Sequence, residues 1–331
     1  MKIQRLLFLS LPLMFFSVLA VSQQIKIDQT STGLHFKSSE KLLLTYQTAT
    51  AEVPDGVKAD FKKSGFVHPL LSPSGQVLTR IQPPDHYHHY GIWGPWTKTT
   101  IEGREVDFWN LGDGKGRVDF EKLVSKKTNK DYAEIVVRQN HMDLLAPTGP
   151  QLALAEDLEI RVWNPKGNRY LVDYTTTIST PLSSAVMLDA YRYGGGIGFR
   201  ATESWDSSNS TILTSEGLDR KAADGSFAKW VIVEGVSDDA SGRSGILFLS
   251  HPTNQAHPEP LRVWPEDSNG GKENVFIEFC PIRHAPWEIL RGKKYTLSYR
   301  MVVFDGKLSA EEAEDYWNEF AKTTTLTKTK K

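Results

Sequence analysis

The segment richest in reactive side chains is Asp85-His-Tyr-His-His-Tyr-Gly-Ile-Trp-Gly-Pro-Trp96, where three of the nine histidines fall within four residues. Pro83 and Pro84 precede it, and Gly91, Gly94 and Pro95 lie within it, so a long helix is excluded. It reads as a loop leading into a short strand, on which His86 and His88 would share one face and His89 the other. Imidazole and carboxylate suit zinc or another transition ion, so His86 and His88, with Asp85, are candidate metal ligands. The same groups are candidates for proton transfer, because histidine titrates near about pH 6.5 and can act in either direction. They could also hydrogen-bond sugar hydroxyls, or simply bond the backbone of a folded loop.

Other segments could complete such a site. Ser250-His-Pro-Thr-Asn-Gln-Ala-His-Pro258 starts where an apolar strand, 245–250, ends. Pro252 and Pro258 stiffen it, so His251, Asn254 and His257 form a candidate polar constellation near the first histidines. Glu216, in the turn Ser215-Glu-Gly217, is a candidate carboxylate for the opposite proton step, as is Asp85. Tyr191-Arg-Tyr-Gly-Gly-Gly-Ile-Gly198 lacks the Gly-Lys-Ser/Thr of a phosphate loop and the βαβ context of a dinucleotide site. Its glycines read as a bulge or close backbone approach beside a cleft lined by Tyr191, Arg192 and Tyr193. Trp93, Trp96 and Trp109 could stack on sugar faces. The expected catalytic set is therefore His86, His88, His89, His251 and Glu216. The expected substrate-binding set is Asp85, Trp93, Trp109, Tyr191, Arg192, Tyr193, Asn254 and His257.

The elements that must position these groups are strands. β-rich stretches cover 42–48, 76–79, 117–124, 132–141, 152–163, 170–179, 228–236, 245–250, 275–279 and 295–304. Asn164-Pro-Lys-Gly-Asn168 separates two long ones as a hairpin loop. Few helices intervene, which argues against a βαβ sheet and for a large antiparallel sandwich or barrel. Ser309 and Glu312 have capping-box spacing and open one C-terminal helix, 310–322, with Ala313, Trp317 and Phe320 on one side.

The chain has 331 residues, of which 39 are basic and 40 acidic, for a net charge of −1. Such a balance gives no electrostatic reason to seek nucleic acid or an anionic membrane. The single Cys280 excludes a disulfide framework and a Cys-rich zinc module. Lys2 and Arg5, the apolar stretch 6–20 and the small residues Ala20-Val21-Ser22 follow one another in the order of a secretory signal. The apolar stretch is shorter than the roughly 18–20 residues that span a bilayer. The expected organisation is a signal peptide over 1–22, one β-sandwich domain over 23–322 and a disordered tail over 323–331, in a periplasmic or secreted protein.

His68-Pro-Leu70, Pro73-Ser-Gly75 and Thr79, then the segment 85–93, Val106-Asp-Phe-Trp109 and Gly116-Arg117, resemble the PmoA-like family of bacterial proteins. The likeness continues through Tyr193-Gly-Gly195, Ser215-Glu-Gly217, His251-Pro252, Asn254, His257-Pro258 and Phe304-Asp-Gly306, over most of the chain after residue 22. Tyr90 stands where many relatives carry Arg. The methane-oxygenase label of that family belongs to an integral membrane subunit. No segment after the first 22 residues is long and apolar enough to cross a bilayer, so methane oxidation is discarded. The resemblance implies an exported protein, common in polysaccharide-degrading bacteria, whose β-sandwich is similar to galactose mutarotase folds.

The expected function is action on a sugar or glycoside by histidine and carboxylate acid–base chemistry, as an epimerase, lyase or hydrolase. No cofactor is required. The alternatives are a glycan-binding protein without catalysis, and a metal-dependent enzyme holding a divalent ion on the cluster of His86, His88 and His89.

Overall fold

The computed structural model describes residues 24–268 and 274–323. The expected signal segment 1–22 and, apart from Thr323, the expected tail lie outside the described residues.

Two large antiparallel sheets pack face to face. The nine-stranded sheet runs, edge to edge, through Ile25–Gln29, Gly33–Ser38, Lys41–Gln47, Phe66–Leu70, Ile92–Trp93, Ile197–Arg200, Phe276–Phe279, Glu259–Val263 and Phe227–Ala228. The eight-stranded sheet runs through Ser210–Thr214, Trp230–Val236, Arg243–Ser250, Tyr295–Asp305, Arg169–Ser179, Gln151–Trp163, Tyr132–Asp143 and Gly116–Thr128. A small four-stranded sheet flanks them. The architecture is the mostly β, antiparallel sandwich with one C-terminal helix that the sequence predicts.

Alternation sets the layers. In Tyr132–Asp143 the residues Ala133, Ile135 and Val137 are fully buried in the core, while the residues between them are half-exposed. Ring contacts between Phe199 and Phe248, at 5.3 Å, and between Phe279 and Tyr299, at 5.9 Å, cross from one sheet to the other. Strand Tyr295–Asp305 is buried on both faces, which accounts for its continuous apolar run. Leu297, Tyr299, Met301 and Val303 enter the inter-sheet core, whereas Val302 and Phe304 meet Leu247, Leu249, Ala313 and Phe320 under the helix. That helix, Ala310–Ala321, opens with the expected capping box: Ser309 Oγ accepts from Glu312 N, and Ser309 N donates to the Glu312 carboxylate.

The outer face of the nine-stranded sheet carries a third layer. Trp93, Gly198, Glu278 and Arg262 lie in one row across four strands, while the neighbouring row of Ile92, Phe199, Ile277 and Val263 points into the core. Phe66, Tyr90, Trp93, Trp109, Leu111, Trp264 and Phe276 form a separate aromatic cluster on this outer side.

One expectation needs correction: residues 76–79 supply only isolated bridges, Leu71 to Val77 and Thr79 to Ala201, instead of a strand. Strands Ile197–Arg200 and Glu259–Val263, both central to the site, have no counterpart among the expected stretches; both are short and each carries an arginine. Among the described residues no helix is long and apolar enough to cross a membrane.

Candidate functional site

Residues 83–89 fold as two successive turns: His86 N donates to Pro83 O, and His89 N donates to His86 O. The expected strand alternation is therefore wrong. A turn, unlike a strand, swings His86, His88 and His89 to the same side, with ring centroids 4.8–5.3 Å apart. Phe61, Trp93, Trp264 and Phe276 enclose them.

Asp85 organises the cluster. Its Oδ2 accepts from His86 Nδ1 at 2.9 Å, and both its oxygens accept from Arg200 Nη2 at 2.8–3.0 Å. Arg200 is only 1% exposed, and its guanidinium lies 4.7 Å over the ring of Trp264. Burial pushes the Asp85 carboxyl up, but the hydrogen bond from His86 and the charge of Arg200 outweigh it and hold the group well below the usual carboxylate range. Asp85 is thus an anion, His86 Nδ1 carries its hydrogen, and Nε2 is left with the lone pair. Burial, reinforced by the charge of Arg200, drives His88 down to about 3. Burial likewise holds His89 well below its ordinary value, so both rings are neutral near pH 7.

The three imidazoles each place a nitrogen within 4.8 Å of the others, as metal ligands would. His89 nevertheless fits a cation poorly. Its Nδ1 faces Arg200 Nη1 at 3.4 Å, which makes Nδ1 the acceptor and Nε2 the protonated nitrogen. An ion on Nδ1 would sit against a guanidinium. His86 Nε2 and His88 remain as donors.

The opposite wall is the loop 191–196. Gly194 N donates to Glu278 Oε1 at 2.8 Å, Gly195 N to Pro95 O at 2.8 Å, and Thr97 Oγ1 to Tyr193 O at 2.5 Å. Gly195 has φ +73°, and a Cβ there would fall 1.8 Å from the Trp96 ring, so this wall admits only glycine. The Tyr193 hydroxyl oxygen accepts from Arg262 Nη2 and Trp264 Nε1, both at 2.9 Å. With both acceptor positions filled, its own hydrogen is left to donate elsewhere. Arg262 also pairs with Asp224 at 2.8 Å, and Asp224 is shared with Arg283.

Between the walls lies a cleft of about 310 Å³, lined by His86, His88, His89, Trp109, Tyr191, Arg192, Tyr193, Arg262 and Trp264, with Thr97, Asn110 and Ser268 at its margins. Seven of the expected site residues meet there. Arg262, Trp264, Arg200 and Glu278 were not foreseen. Larger grooves beside the helix contain Arg161, Arg169 and Arg300, but each is already paired with a carboxylate.

The remaining expectations are corrected by position. Trp93 is 1% exposed and lies beneath His89 and Trp109, so it supports the site and cannot stack on a ligand in the cleft. Asp85 sits behind His86 and holds it. His251 bonds Thr253 and the carbonyl of Thr323 and packs edge-on against Phe320 of the helix. His257 stacks on Trp317. Asn254 is buried between Glu259 and the backbone of Ser298. These three pack where strand Arg243–Ser250 meets the helix on the eight-stranded side, not with the first histidines on the outer face of the other sheet. Glu216 is an exposed turn residue bonded to Ser215.

Fold and site together define a two-sheet antiparallel sandwich whose cleft, walled by histidine, arginine and aromatic side chains, opens on the outer face of one sheet. The chain belongs to the family of unknown function DUF6807, whose model matches residues 33–318. A comparison with curated proteins finds no significant match. Among solved structures, the heparan sulfate lyase HepC from Pedobacter heparinus is similar with a TM-score of 0.43 and 9% identity. That match covers 86% of this chain and 37% of the lyase, so this chain spans well under half of that protein. A galactose mutarotase related enzyme from Lactobacillus acidophilus is similar with a TM-score of 0.35 and 10% identity, covering 86% of this chain and all of that one. The GalM/aldose epimerase homologue from C. elegans gives a TM-score of 0.36 and 10% identity, over 86% of this chain and 97% of that one.

Proposed function

We propose that the protein is a carbohydrate-active enzyme that moves protons on a sugar held in the cleft, by epimerisation or elimination. The observation that carries this reading is the Asp85–His86 pair. A buried carboxylate on Nδ1 fixes the tautomer and stabilises the imidazolium that forms when Nε2 takes a proton. The Tyr193 hydroxyl, held by Arg262 and Trp264 with its hydrogen free, supplies the complementary donor on the other wall. Tyr191, 38% exposed, and the half-buried Tyr193 offer aromatic surface to the sugar, while Trp109 and Trp264 are buried behind the cleft. Hydrolysis ordinarily needs two available carboxyl groups flanking the bond. No carboxylate is among the described residues lining the cleft, and Asp85 and Asp224 behind it are held in ion pairs. The first 22 residues support placing this activity outside the cytoplasm.

The test is incubation of a panel of sugars and glycosides in D2O with the protein and with His86→Ala. Deuterium entering a sugar carbon, or a new double bond, is expected only with the unaltered chain. Sugars that bind and stay chemically unchanged would instead make this a glycan-binding protein. A second reading, a divalent ion on His86, His88 and His89, is favoured by their nitrogens lying within 4.8 Å and opposed by Arg200 beside His89. Metal analysis of the purified protein decides it: a stoichiometric ion lost in His88→Ala would establish the metal.

A further inference from the structure

We infer that the cleft takes an acidic sugar, one whose ring carries a carboxylate, and that Arg192 is the residue that meets the anion. The inference rests on the reading of the cleft as a sugar site and goes on to name the class of sugar.

Arg192 lines the cleft and is exposed. Among the described residues it makes no ion pair or hydrogen bond; its guanidinium lies only over the ring of Tyr193, at 5.5 Å. The ring face holds the cation in place without neutralising it. Behind it, Arg262 and Arg283 share one carboxylate, Asp224. Glu278, next to Arg262 on the neighbouring strand, is fully buried and accepts from Gly194 N, and burial pushes its carboxyl well above the usual carboxylate range. At the cleft this wall presents the positive charge of Arg192, with no carboxylate among the described lining residues to offset it, in a chain whose net charge is −1. Across the cleft, Arg200 is neutralised by Asp85. Asp107 is engaged by the backbone N–H groups of Trp109 and Asn110 and by the Asn110 amide.

Hydrogen-bond polarity points the same way. The Tyr193 hydroxyl oxygen accepts from two protein donors, and among the described residues none accepts its hydrogen. Arg262 is 8% exposed and spends its Nη hydrogens on the Val263 carbonyl, the Tyr193 hydroxyl and Asp224, so it holds this wall and leaves Arg192 to meet the ligand. A wall of surplus donors and surplus positive charge calls for a ligand with surplus acceptors. A neutral sugar hydroxyl gives one donor for every acceptor pair it offers, whereas a carboxylate is acceptor-only and matches the guanidinium fork.

Trp109 and Trp264 line the cleft, so intrinsic fluorescence reports occupancy. The full chain is titrated with D-glucuronate, D-galacturonate, D-glucose and D-glucose 6-sulfate, with and without added salt. Either uronate should bind about tenfold or more tighter than glucose, the scale of one charge-assisted hydrogen bond. Added salt should erode the difference. Arg192→Gln should abolish it while leaving the melting temperature unchanged, and Arg192→Lys should retain part of it. Equal binding of uronates and glucose, or a uronate preference that survives Arg192→Gln, overturns the acidic-sugar inference and leaves the sugar reading intact. Tighter binding of the 6-sulfate than of either uronate overturns the carboxylate in favour of a sulfate ester. No binding of any of the four overturns both.

Discussion

His86 donates from Nδ1 to Oδ2 of Asp85 at 2.9 Å, and that same oxygen accepts from Arg200 at 2.8 Å. One carboxylate therefore serves both a partly exposed imidazole and a guanidinium that is 1% exposed. The two sides of Asp85 can be separated by substitution. His86→Ala is expected to lower turnover by roughly 10²–10⁴-fold, the usual worth of a general acid–base group, at a stability cost under about 1 kcal/mol. Asp85→Asn should lower turnover as well, but it also strands the buried Arg200 charge, at a cost of roughly 3–5 kcal/mol. Denaturant unfolding beside turnover distinguishes the two. Equal stability of both variants would mean that Asp85 does not compensate Arg200.

The second histidine group should behave oppositely. His251, 3% exposed, bonds the Thr323 carbonyl at 3.0 Å and packs edge-on against Phe320, so His251→Ala removes a buried ring and its tie to the end of the helix. A stability loss of roughly 1–3 kcal/mol is expected, with ligand affinity in the cleft unchanged. A fall in affinity without a fall in stability would return His251 to the site.

The sheets were legible because their signal is local. Alternation in 132–143 and 151–163, the hairpin loop between 163 and 169, and the Ser309–Glu312 box each specify their own structure. The site was half legible. A dense histidine cluster between prolines and glycines marks itself, and so do the aromatics and glycines of 191–196. What sequence could not supply was which loops meet. His251 and His257 carry the same local marks as His86 and His88, and only the path of strand Arg243–Ser250 sends them to the helix. Arg200 and Glu278 did leave a signal: each is the lone charge in an apolar strand, Ile197-Gly-Phe-Arg200 and Phe276-Ile-Glu-Phe279. A lone charge in a buried strand must find a partner or shift toward its neutral form, and Arg200 does the first while burial drives Glu278 toward the second. Asp85 was misjudged as a ligand contact because its role depends on an arginine 115 residues away.

The glycine wall yields a sharper test. Gly196 has φ +60°, and a Cβ there would lie 2.0 Å from the Phe279 carbonyl oxygen, part of a strand that cannot give way. Gly196→Ala is expected to cost roughly 1–3 kcal/mol as an overpacked, strained position. Because the same loop positions Tyr191, Arg192 and Tyr193, ligand affinity should fall with stability. Gly217→Ala serves as the control, since its φ of +74° is similar but nothing lies within 4 Å of the added atom. It should show backbone strain alone, with affinity unchanged.

The last prediction concerns pH. Glu259 is fully buried and accepts from Ser250 and Asn254 on one oxygen and from Tyr299 on the other. Burial raises its pKa more than these three hydrogen bonds lower it, and it stands at about 7 against an ordinary 4.5. The folded chain therefore keeps a proton that the unfolded chain releases between those values. The folded state binds more protons there, so this residue's contribution to stability is fully present below about pH 4.5 and is lost as pH rises through about 7. The interval corresponds to roughly 3 kcal/mol. Glu259→Gln keeps the shape and an acceptor for Ser250 and Asn254 but cannot ionise. The stability of the unaltered chain relative to Glu259→Gln should fall steadily from about pH 5 to about pH 8, read from denaturant midpoints at each pH. Taking the difference removes every other titrating group from the comparison. A difference independent of pH over that range would mean that Glu259 is already ionised in place, with Tyr299, Ser250 and Asn254 stabilising a carboxylate instead of an acid.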